Sequence, residues 1–200
     1  MSKTAETAAP IHQLLADRWS PRAFADRPVE KEKLLALLEA ARWAPSCYNE
    51  QPWSFMVATK DTPRDYDPLL NCLVDANKLW ARSAPVLMMS LAKLHFDYND
   101  KANRYAFHDV GLAVATMIVQ ASVLGIYVHQ MAGFDRERAR VDLGIPDSHK
   151  PVAAIALGYL GDGDKLPQEL REREQAPRER KRLSDFVYGG GWEKPASFVP

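Results

Sequence analysis

The chain has 200 residues, of which 46% are hydrophobic and 26% charged, and its 26 basic and 26 acidic side chains give a formal net charge of zero. This composition is typical of one globular domain, and it excludes an acidic disordered chain and a general nucleic-acid binder, whose affinity would come from excess Lys and Arg. Two cysteines without metal-ligand spacing predict no disulfide framework and no metal site, and the cytoplasm is the expected compartment. No secretory signal and no unbroken apolar run of about 20 residues is visible, so we expect no membrane association.

The first half of the chain predicts helices, a loop and two strands. Residues 1–9 are small and polar, and we expect them to be disordered. A short helix follows, with its apolar side chains over 11–15. A clearer helix is predicted by apolar residues at i, i+3, i+4 and i+7, and it stops before the loop 45–52, which proline bounds at both ends. Then come a strand over 53–59, a helix near 69–82 and a strand over 86–92.

The second half predicts one long apolar helix over 105–124, which ends at Gly125. It is apolar around most of its girth, as is typical of a helix in a core or an interface. A strand over 126–131, a charged helix over 136–143 and a strand over 152–160 follow. The last strand is almost wholly apolar, which predicts a central place in the sheet. Residues 162–200 are rich in charge, proline and glycine, and we expect them to form an extended arm that packs on a partner subunit.

Several common catalytic motifs are absent from the sequence, among them G-x-S-x-G, G-x-x-x-x-G-K-[ST], G-x-G-x-x-G and H-E-x-x-H. His108-Asp109 has two interpretations: a fragment of an acid/base pair and, preferred, a histidine that packs or caps at the start of the long helix. Three polar clusters remain, which are Arg18 with Ser20 and Arg22, the loop 45–53, and the basic run 178–182. Guanidinium groups suit a phosphate, and short amides suit the edge of a polar ring. From the residues alone, two interpretations of these clusters stay open: a site for an anionic cofactor, and ordinary solvent-exposed or turn residues.

Six blocks of sequence carry a resemblance that covers nearly the whole chain. They are R-W-S-P-R-A-F at 18–24, A-P-S-C-Y-N-E-Q-P-W-S-F at 44–55, Asn77 with W-A and A-P at 80–85, D-V-G at 109–111, H-Q-M-A-G-F-D at 129–135, and the basic arm to Arg182. In this order the sequence resembles the nitroreductase family of FMN-dependent oxidoreductases, and the P-S-x-x-N-x-Q-P-W block is the specific part. Two residues depart from the family pattern. Cys47 stands where serine is common, and is interpreted as an inert small side chain or as an oxidation-sensitive thiol. Ala132 precedes Gly133 where relatives carry glycine or a larger residue.

The resemblance implies how a flavin would be held. Arg18 with Ser20, and the arm residues Arg180 and Arg182, are implied to bind the phosphate, with the register in the arm ambiguous by one or two residues. Arg22 is implied to lie near the pyrimidine side of the ring, where a fixed cation favours the reduced anionic flavin and raises its potential. The remaining implied cofactor-binding residues are Trp19, Pro45, Ser46, Cys47, Asn49, Gln51, Asn77, Met131, Ala132 and Gly133.

Within this set the implied roles differ. The loop residues from Pro45 to Asn49 are implied to cross to the flavin from the partner subunit, and Gln51 to contact the pyrimidine or the ribityl chain. Asn77 is implied at the ring edge. The backbone of Ala132 and Gly133 is implied to approach flavin N5, where glycine permits close contact.

The resemblance further implies an α+β, nitroreductase-like fold, with a mixed or antiparallel sheet flanked by helices and an intertwined homodimer with two flavins at its interface. The expected organisation is a disordered tail 1–9, an FMN-binding domain 10–161 and the arm 162–200. The implied activity is hydride transfer from NAD(P)H to FMN N5 and then reduction of nitroaromatic, quinone or related small-molecule acceptors in a ping-pong mechanism, with no catalytic side chain. The alternatives are a non-catalytic flavin-binding or flavin-sensing protein, and a specialised reductase such as a dehalogenase or an enoyl or semialdehyde reductase.

Overall fold

The computed structural model describes residues 3–199, and its main feature is one sheet of four antiparallel strands. The strands are β1 (Trp53–Thr59), β2 (Val86–Lys93), β3 (Tyr127–Met131) and β4 (His149–Gly158). Their order across the sheet is β1-β2-β4-β3. The central position predicted for the fourth strand is confirmed, since β4 pairs with β2 on one side and β3 on the other.

Helices cover both faces of this sheet, which confirms the α+β fold of nitroreductase type. The helices on these faces are α2 (Lys31–Arg42), α3 (Pro63–Cys72), α4 (Asp75–Ala81), α5 (Ala106–Val123), α6 (Arg136–Asp142) and α7 (Gln168–Gln175). A short helix, α1 (Gln13–Asp17), precedes them in the chain. Short 3-10 turns occupy Cys47–Asn49, Gly163–Lys165 and Leu183–Asp185.

The alternation of side chains along β2 divides the core into two layers. Val86 and Met88 point to one face, where they join Leu37 of α2 and Met117 of α5. Leu87 and Met89 point to the other face, where α3, α4 and α6 lie. Because successive side chains of a strand point to opposite faces, a strand buried on both sides is apolar at nearly every position, as β2 and β4 are.

The long helix α5 agrees with its prediction to within one residue at each end, and Gly125 follows it with a φ of +68°. Val110, Val114 and Met117 form its buried face against α2 and the sheet. By length and composition alone α5 would suffice to span a membrane. Core helices of globular proteins meet the same criterion, and in this structure 39% of α5 is buried.

Two segments differ from the predicted elements. The helix expected near 69–82 is two helices, α3 and α4, because Leu73 adopts an extended conformation between them and bridges to Phe134. Residues 162–200 begin with 3-10 and α-helical turns rather than an extended chain, since Leu166 and Leu170 are buried in the core.

The described residues divide into two compact units. The central unit is Trp19–Glu174, and the terminal unit joins the described residues of Met1–Arg18 and Gln175–Pro200. Within the terminal unit, the guanidinium of Arg178 donates to the carbonyls of Lys3 and Ala16, at 2.5 Å each. The tail 1–9, the domain 10–161 and the partner-packing arm 162–200 stay predictions, and residues 1, 2 and 200 lie outside the described part of the chain.

Candidate functional site

The loop between α2 and β1 holds five of the predicted site residues in a compact turn. Tyr48, Asn49 and Gln51 have φ values of +53°, +56° and +52°. Non-glycine residues rarely adopt this left-handed conformation, which costs free energy and recurs at ligand-binding turns. Two internal hydrogen bonds that involve side chains support it: Gln51 N–H donates to Ser46 Oγ at 3.0 Å, and Gln51 Nε2 donates to the Asn49 carbonyl at 3.0 Å.

A buried carboxylate anchors this loop to the core. The backbone N–H of Cys47 donates to Oδ2 of Asp109 at 2.9 Å, and His108 Nδ1 lies 2.9 Å from the other oxygen. Asp109 is only 2% exposed, in the first turn of α5. A buried carboxylate needs such partners, because an unpaired one is strongly unfavourable. The prediction that His108 packs or caps at the start of α5 is wrong, because its side chain is 67% exposed and, among the described residues, the N-cap residue, Tyr105, has no side-chain capping hydrogen bond.

The segment after β2 also contacts the loop. Glu50 Oε1 accepts the backbone N–H of Asp97 at 2.6 Å, and the Tyr48 ring lies 6.0 Å from both Phe96 and Tyr98. Tyr48, in the predicted flavin loop, and Tyr98, in the segment after β2, both stay largely exposed despite these edge-to-face contacts.

The first sequence block continues from α1 into the central unit. The Trp19 ring packs edge to face on Tyr127 of β3, with centroids 6.1 Å apart. Ser20 is half-buried. The carboxylate of Glu174 accepts the backbone N–H groups of Arg22 and Ala23, so it fixes the chain at the position predicted to face the flavin.

The turn after β3 brings Asn77 and Gly133 together. Asn77 Nδ2 donates to the Gly133 carbonyl at 3.0 Å, and the backbone N–H of Val74 donates to the same oxygen at 3.1 Å. A Cβ at position 133 would lie 2.6 Å from Asn77 Nδ2 and 3.0 Å from Val74 Cγ2, so a larger residue there would displace the Asn77 side chain. Met131 is buried at the end of β3, and Ala132 is exposed.

In the terminal unit, the structure places Arg18 with Arg178 and Arg180. Burial, then the charges of Arg178 and Arg180, lower the pKa of Arg18, and burial followed by the charge of Arg180 lowers that of Arg178. Arg182 is instead the N-cap of the turn Leu183–Asp185, and its guanidinium lies 3.5 Å from Asp185. The basic cluster is therefore defined here as Arg18, Arg178 and Arg180.

Within one chain the loop before β1 and the turn after β3 are kept apart. β1 and β3 are the two edges of the sheet, so three interstrand spacings, about 14 Å, separate them.

Sequence reasoning missed two residues of this region as members of the site. The D-V-G block contains Asp109 but indicates no role for it, and its hydrogen bond with Cys47 spans 62 residues of chain. Glu174 lies in a charged helix, and nothing local indicates a partner 152 residues away. A separate cavity of about 590 Å³ beside α6 and the start of β4 contains none of the predicted site residues.

Comparison with known proteins identifies the class. The family model described as the nitroreductase family matches residues 15–159, well over half of the chain. A crystal structure described as an oxidoreductase containing FMN superposes with a TM-score of 0.90 at 37% identity, covering 96% of this chain and 98% of the other. The chain therefore belongs to the nitroreductase family, and it is an oxidoreductase enzyme.

Individual relatives are more distant. A 15.4 kDa protein encoded in the ask 5′ region of Mycolicibacterium smegmatis is 36% identical over 123 residues, which cover 62% of this chain and 82% of that protein. An NADH dehydrogenase of Thermus thermophilus is 28% identical over 191 residues, covering 76% of this chain and 89% of the relative. Iodotyrosine deiodinase 1 of Rattus norvegicus is 24% identical over 189 residues, covering 81% of this chain and 66% of the relative.

Proposed function

We propose that this protein binds FMN, takes hydride from NADH or NADPH, and reduces nitroaromatic, quinone or related small-molecule acceptors in the cytoplasm. The observation that carries the proposal is the family match over 15–159, together with a basic cluster built from both ends of the chain. The FMN of the similar crystal structure and the name of the Thermus relative support the cofactor and the reductant.

The donor set of the terminal unit fits the phosphate of FMN. After burial, the charges of Arg178 and Arg180 help to lower the pKa of Arg18, and the charge of Arg180 helps to lower that of Arg178, so a negative charge would offset the repulsion among these like charges. A dianionic phosphate supplies that charge, and arginine forks bind phosphate oxygens with charge-assisted hydrogen bonds. We assign the phosphate to Arg18, Arg178 and Arg180, and Arg182 becomes a turn residue of the arm.

The remaining flavin contacts keep the assignments that the family resemblance implies. Arg22 provides a fixed cation for the pyrimidine side, and the strained loop presents Asn49 and Gln51 as amide donors and acceptors. The rest of the predicted set keeps its implied roles, namely Trp19, Ser20, Pro45, Ser46, Cys47, Asn77, Met131, Ala132 and Gly133. FMN, when bound, supplies the hydride and electron transfer chemistry at N5, and the protein supplies position and electrostatics.

A second copy of this chain is the proposed partner. Helix α5 leaves an apolar stripe exposed at a spacing of four residues, formed by Phe107, Gly111, Ala115, Val119 and Val123. Contiguous apolar surface of this kind marks an interaction face. Pairing through this stripe would bury it and bring each loop before β1 toward the other subunit's flavin.

The first experiment identifies the cofactor. The purified protein is expected to be yellow and to release FMN, not FAD, on denaturation, because the sequence lacks G-x-G-x-x-G for a second nucleotide half. Chromatography of the released flavin, with stoichiometry from its absorbance, measures this. Colourless protein that cannot be reconstituted with FMN would refute the proposal.

The second experiment separates an enzyme from a flavin store. Mixing the oxidised holoprotein anaerobically with NADH or NADPH should bleach the flavin, and an added nitroaromatic or quinone should restore its colour. Steady-state plots at several acceptor concentrations should be parallel, as ping-pong kinetics requires. Bound FMN that neither nicotinamide reduces would favour the non-catalytic alternative.

Reductive dehalogenation is the second candidate, and the similarity to the rat deiodinase favours it. A halogenated phenol incubated with the reduced protein should then yield halide ion together with flavin reoxidation. If a quinone reoxidises the flavin but the halogenated phenol releases no halide, dehalogenation is excluded and the reduction of nitroaromatic or quinone acceptors stands as the proposed function.

A further inference from the structure

Glu174 makes an unusual set of contacts for a residue of a charged surface helix. It is the last residue of the central unit, near the end of α7, and is only 6% exposed. The backbone N–H of Arg22 donates to its two carboxylate oxygens at 2.9 and 3.0 Å, and the N–H of Ala23 donates to Oε1 at 3.2 Å. The Arg22 guanidinium lies 3.8 Å from Oε2. One buried carboxylate therefore holds both the main chain and the charge of Arg22.

The energetics indicate that the pair acts as a unit. A buried carboxylate is stable only when hydrogen bonds and a counter-charge replace its lost hydration. Backbone N–H groups and the Arg22 guanidinium provide these here. In return, the negative charge of Glu174 offsets much of the field that Arg22 exerts on its surroundings, because the effective dielectric constant is low at a partly buried site.

We infer that Glu174 is a positioning residue that fixes Arg22 and offsets its charge, and thereby lowers the reduction potential of the bound flavin. The inference rests on the proposed function, in which Arg22 faces the pyrimidine side of FMN. Reduction by hydride adds two electrons and one proton, so the ring gains one negative charge. A cation beside the ring favours that charged state, and a carboxylate paired with the cation reduces the effect. Glu174 thus sets how strongly Arg22 raises the potential.

Glu174→Gln tests this with little change of shape. The Oε1 of glutamine can still accept both backbone N–H groups, whereas the negative charge is gone. The ratio of affinities for reduced and oxidised FMN should rise about tenfold, which for a two-electron couple is a positive shift of about 30 mV. The midpoint potential of the holoprotein, equilibrated with a reference dye, measures it directly. Glu172→Gln, an equal charge change at an exposed position of the same helix, is the control and should leave the potential unchanged.

Two more variants show whether the effect passes through Arg22. Arg22→Gln alone should lower the reduction potential of the bound flavin. When Glu174→Gln is added to Arg22→Gln, the ratio of affinities for reduced and oxidised FMN should change less than twofold. Glu174→Asp keeps the charge and should keep the potential. If Glu174→Gln does not fold, Arg22→Gln and Glu174→Asp still decide the matter. An unchanged potential in Arg22→Gln, or a shift of equal size in both backgrounds, overturns the inference.

The outcomes also separate this inference from the proposed function. Wild-type protein that binds no FMN refutes both. Bound FMN whose potential is the same in the wild type and in Glu174→Gln refutes this inference and leaves the proposed function standing.

Discussion

The backbone N–H of Cys47 donates to the carboxylate of Asp109 at 2.9 Å, which joins the predicted flavin loop to the central helix α5. The loop contains three residues with left-handed backbone conformation, so it needs external support. Asp109 supplies this support from the core, because the helix around it is fixed by packing against α2 and the sheet.

Asp109→Ala should therefore destabilise the protein by about 1–3 kcal/mol, since it removes a buried hydrogen-bond acceptor and leaves the Cys47 N–H without this partner. It should also weaken FMN binding, because the loop is released. Urea unfolding and flavin titration measure the two effects. Asp109→Asn keeps an acceptor for the N–H and should lose less of both. Equal losses in the two variants would contradict the role of the hydrogen bond.

Arg18→Ala should weaken FMN binding roughly ten- to a hundredfold, because loss of a charge-assisted phosphate contact typically costs about 1.5–3 kcal/mol. Arg136→Ala is the matched control, since Arg136 lies on α6 and is not among the residues predicted to contact the flavin. Fluorescence titration of the apoprotein with FMN measures both affinities. If the two variants bind FMN equally well, Arg18 has no part in the phosphate site.

The arm offers a sharper comparison between two arginines. Arg180 belongs to the basic cluster, whereas Arg182 is tied to Asp185. Arg180→Ala should therefore weaken FMN binding more than Arg182→Ala in the same titration. If Arg182→Ala weakens FMN binding more than Arg180→Ala, Arg182 contacts the phosphate, as the family resemblance implies.

Removal of residues 178–200 should cost both flavin and dimer. The segment leaves Phe186, Trp192 and Phe198 exposed, with Trp192 at 80%, and such aromatic surface is unusual on a free tail. We expect the partner subunit to cover it. Sedimentation velocity with flavin titration measures both losses, and removal of 197–200 alone, which keeps Arg180 and Trp192, should preserve more of each. A truncated dimer with full FMN occupancy would show that the arm is passive.

A surface cluster predicts a pH dependence of stability. Tyr159 donates its hydroxyl to Glu30, Lys33 donates to that hydroxyl at 2.6 Å, and Arg27 donates to Glu30 at 2.8 Å. The hydrogen bond from Tyr159 is the main cause that lowers the pKa of Glu30 from 4.5 to about 2. A carboxyl with a depressed pKa stabilises the folded state fully above its unfolded value and loses this contribution as pH falls toward the folded value.

Glu30→Gln should accordingly lower the urea midpoint at pH 7, and the difference from the wild type should shrink between about pH 4.5 and pH 2. Tyr159→Phe should reduce the change in stability over the same pH range, because it removes the main hydrogen-bond donor to Glu30. A difference that stays constant down to pH 2 would exclude a linked titration of Glu30.

Many helices and strands of this fold can be predicted from local sequence patterns. The spacing of Leu34, Leu37, Leu38 and Ala41 predicted α2, whose Leu37 and Ala41 are buried, and the apolar run after Pro151 predicted a central strand. These predictions were right because one element's periodicity reflects which of its faces is buried. The ordered blocks also indicated the nitroreductase family, and the family match confirms this. The individual site residues, the homodimer and the acceptor stay predictions.

Only the tertiary structure decided which distant groups meet. It paired Glu174 with Arg22, joined Asp109 to Cys47, placed Arg178 and Arg180 with Arg18, and gave Gly133 a reason in Asn77. No local pattern carries this information, since the partners lie 56 to 162 residues apart in the sequence and are brought together by sheet order and helix packing. The sequence by itself therefore determined the family, most of the helices and strands, and which charged and polar side chains are present. The tertiary structure determined which of these groups face one another, because electrostatic and hydrogen-bond energies depend on distances that only the folded chain sets.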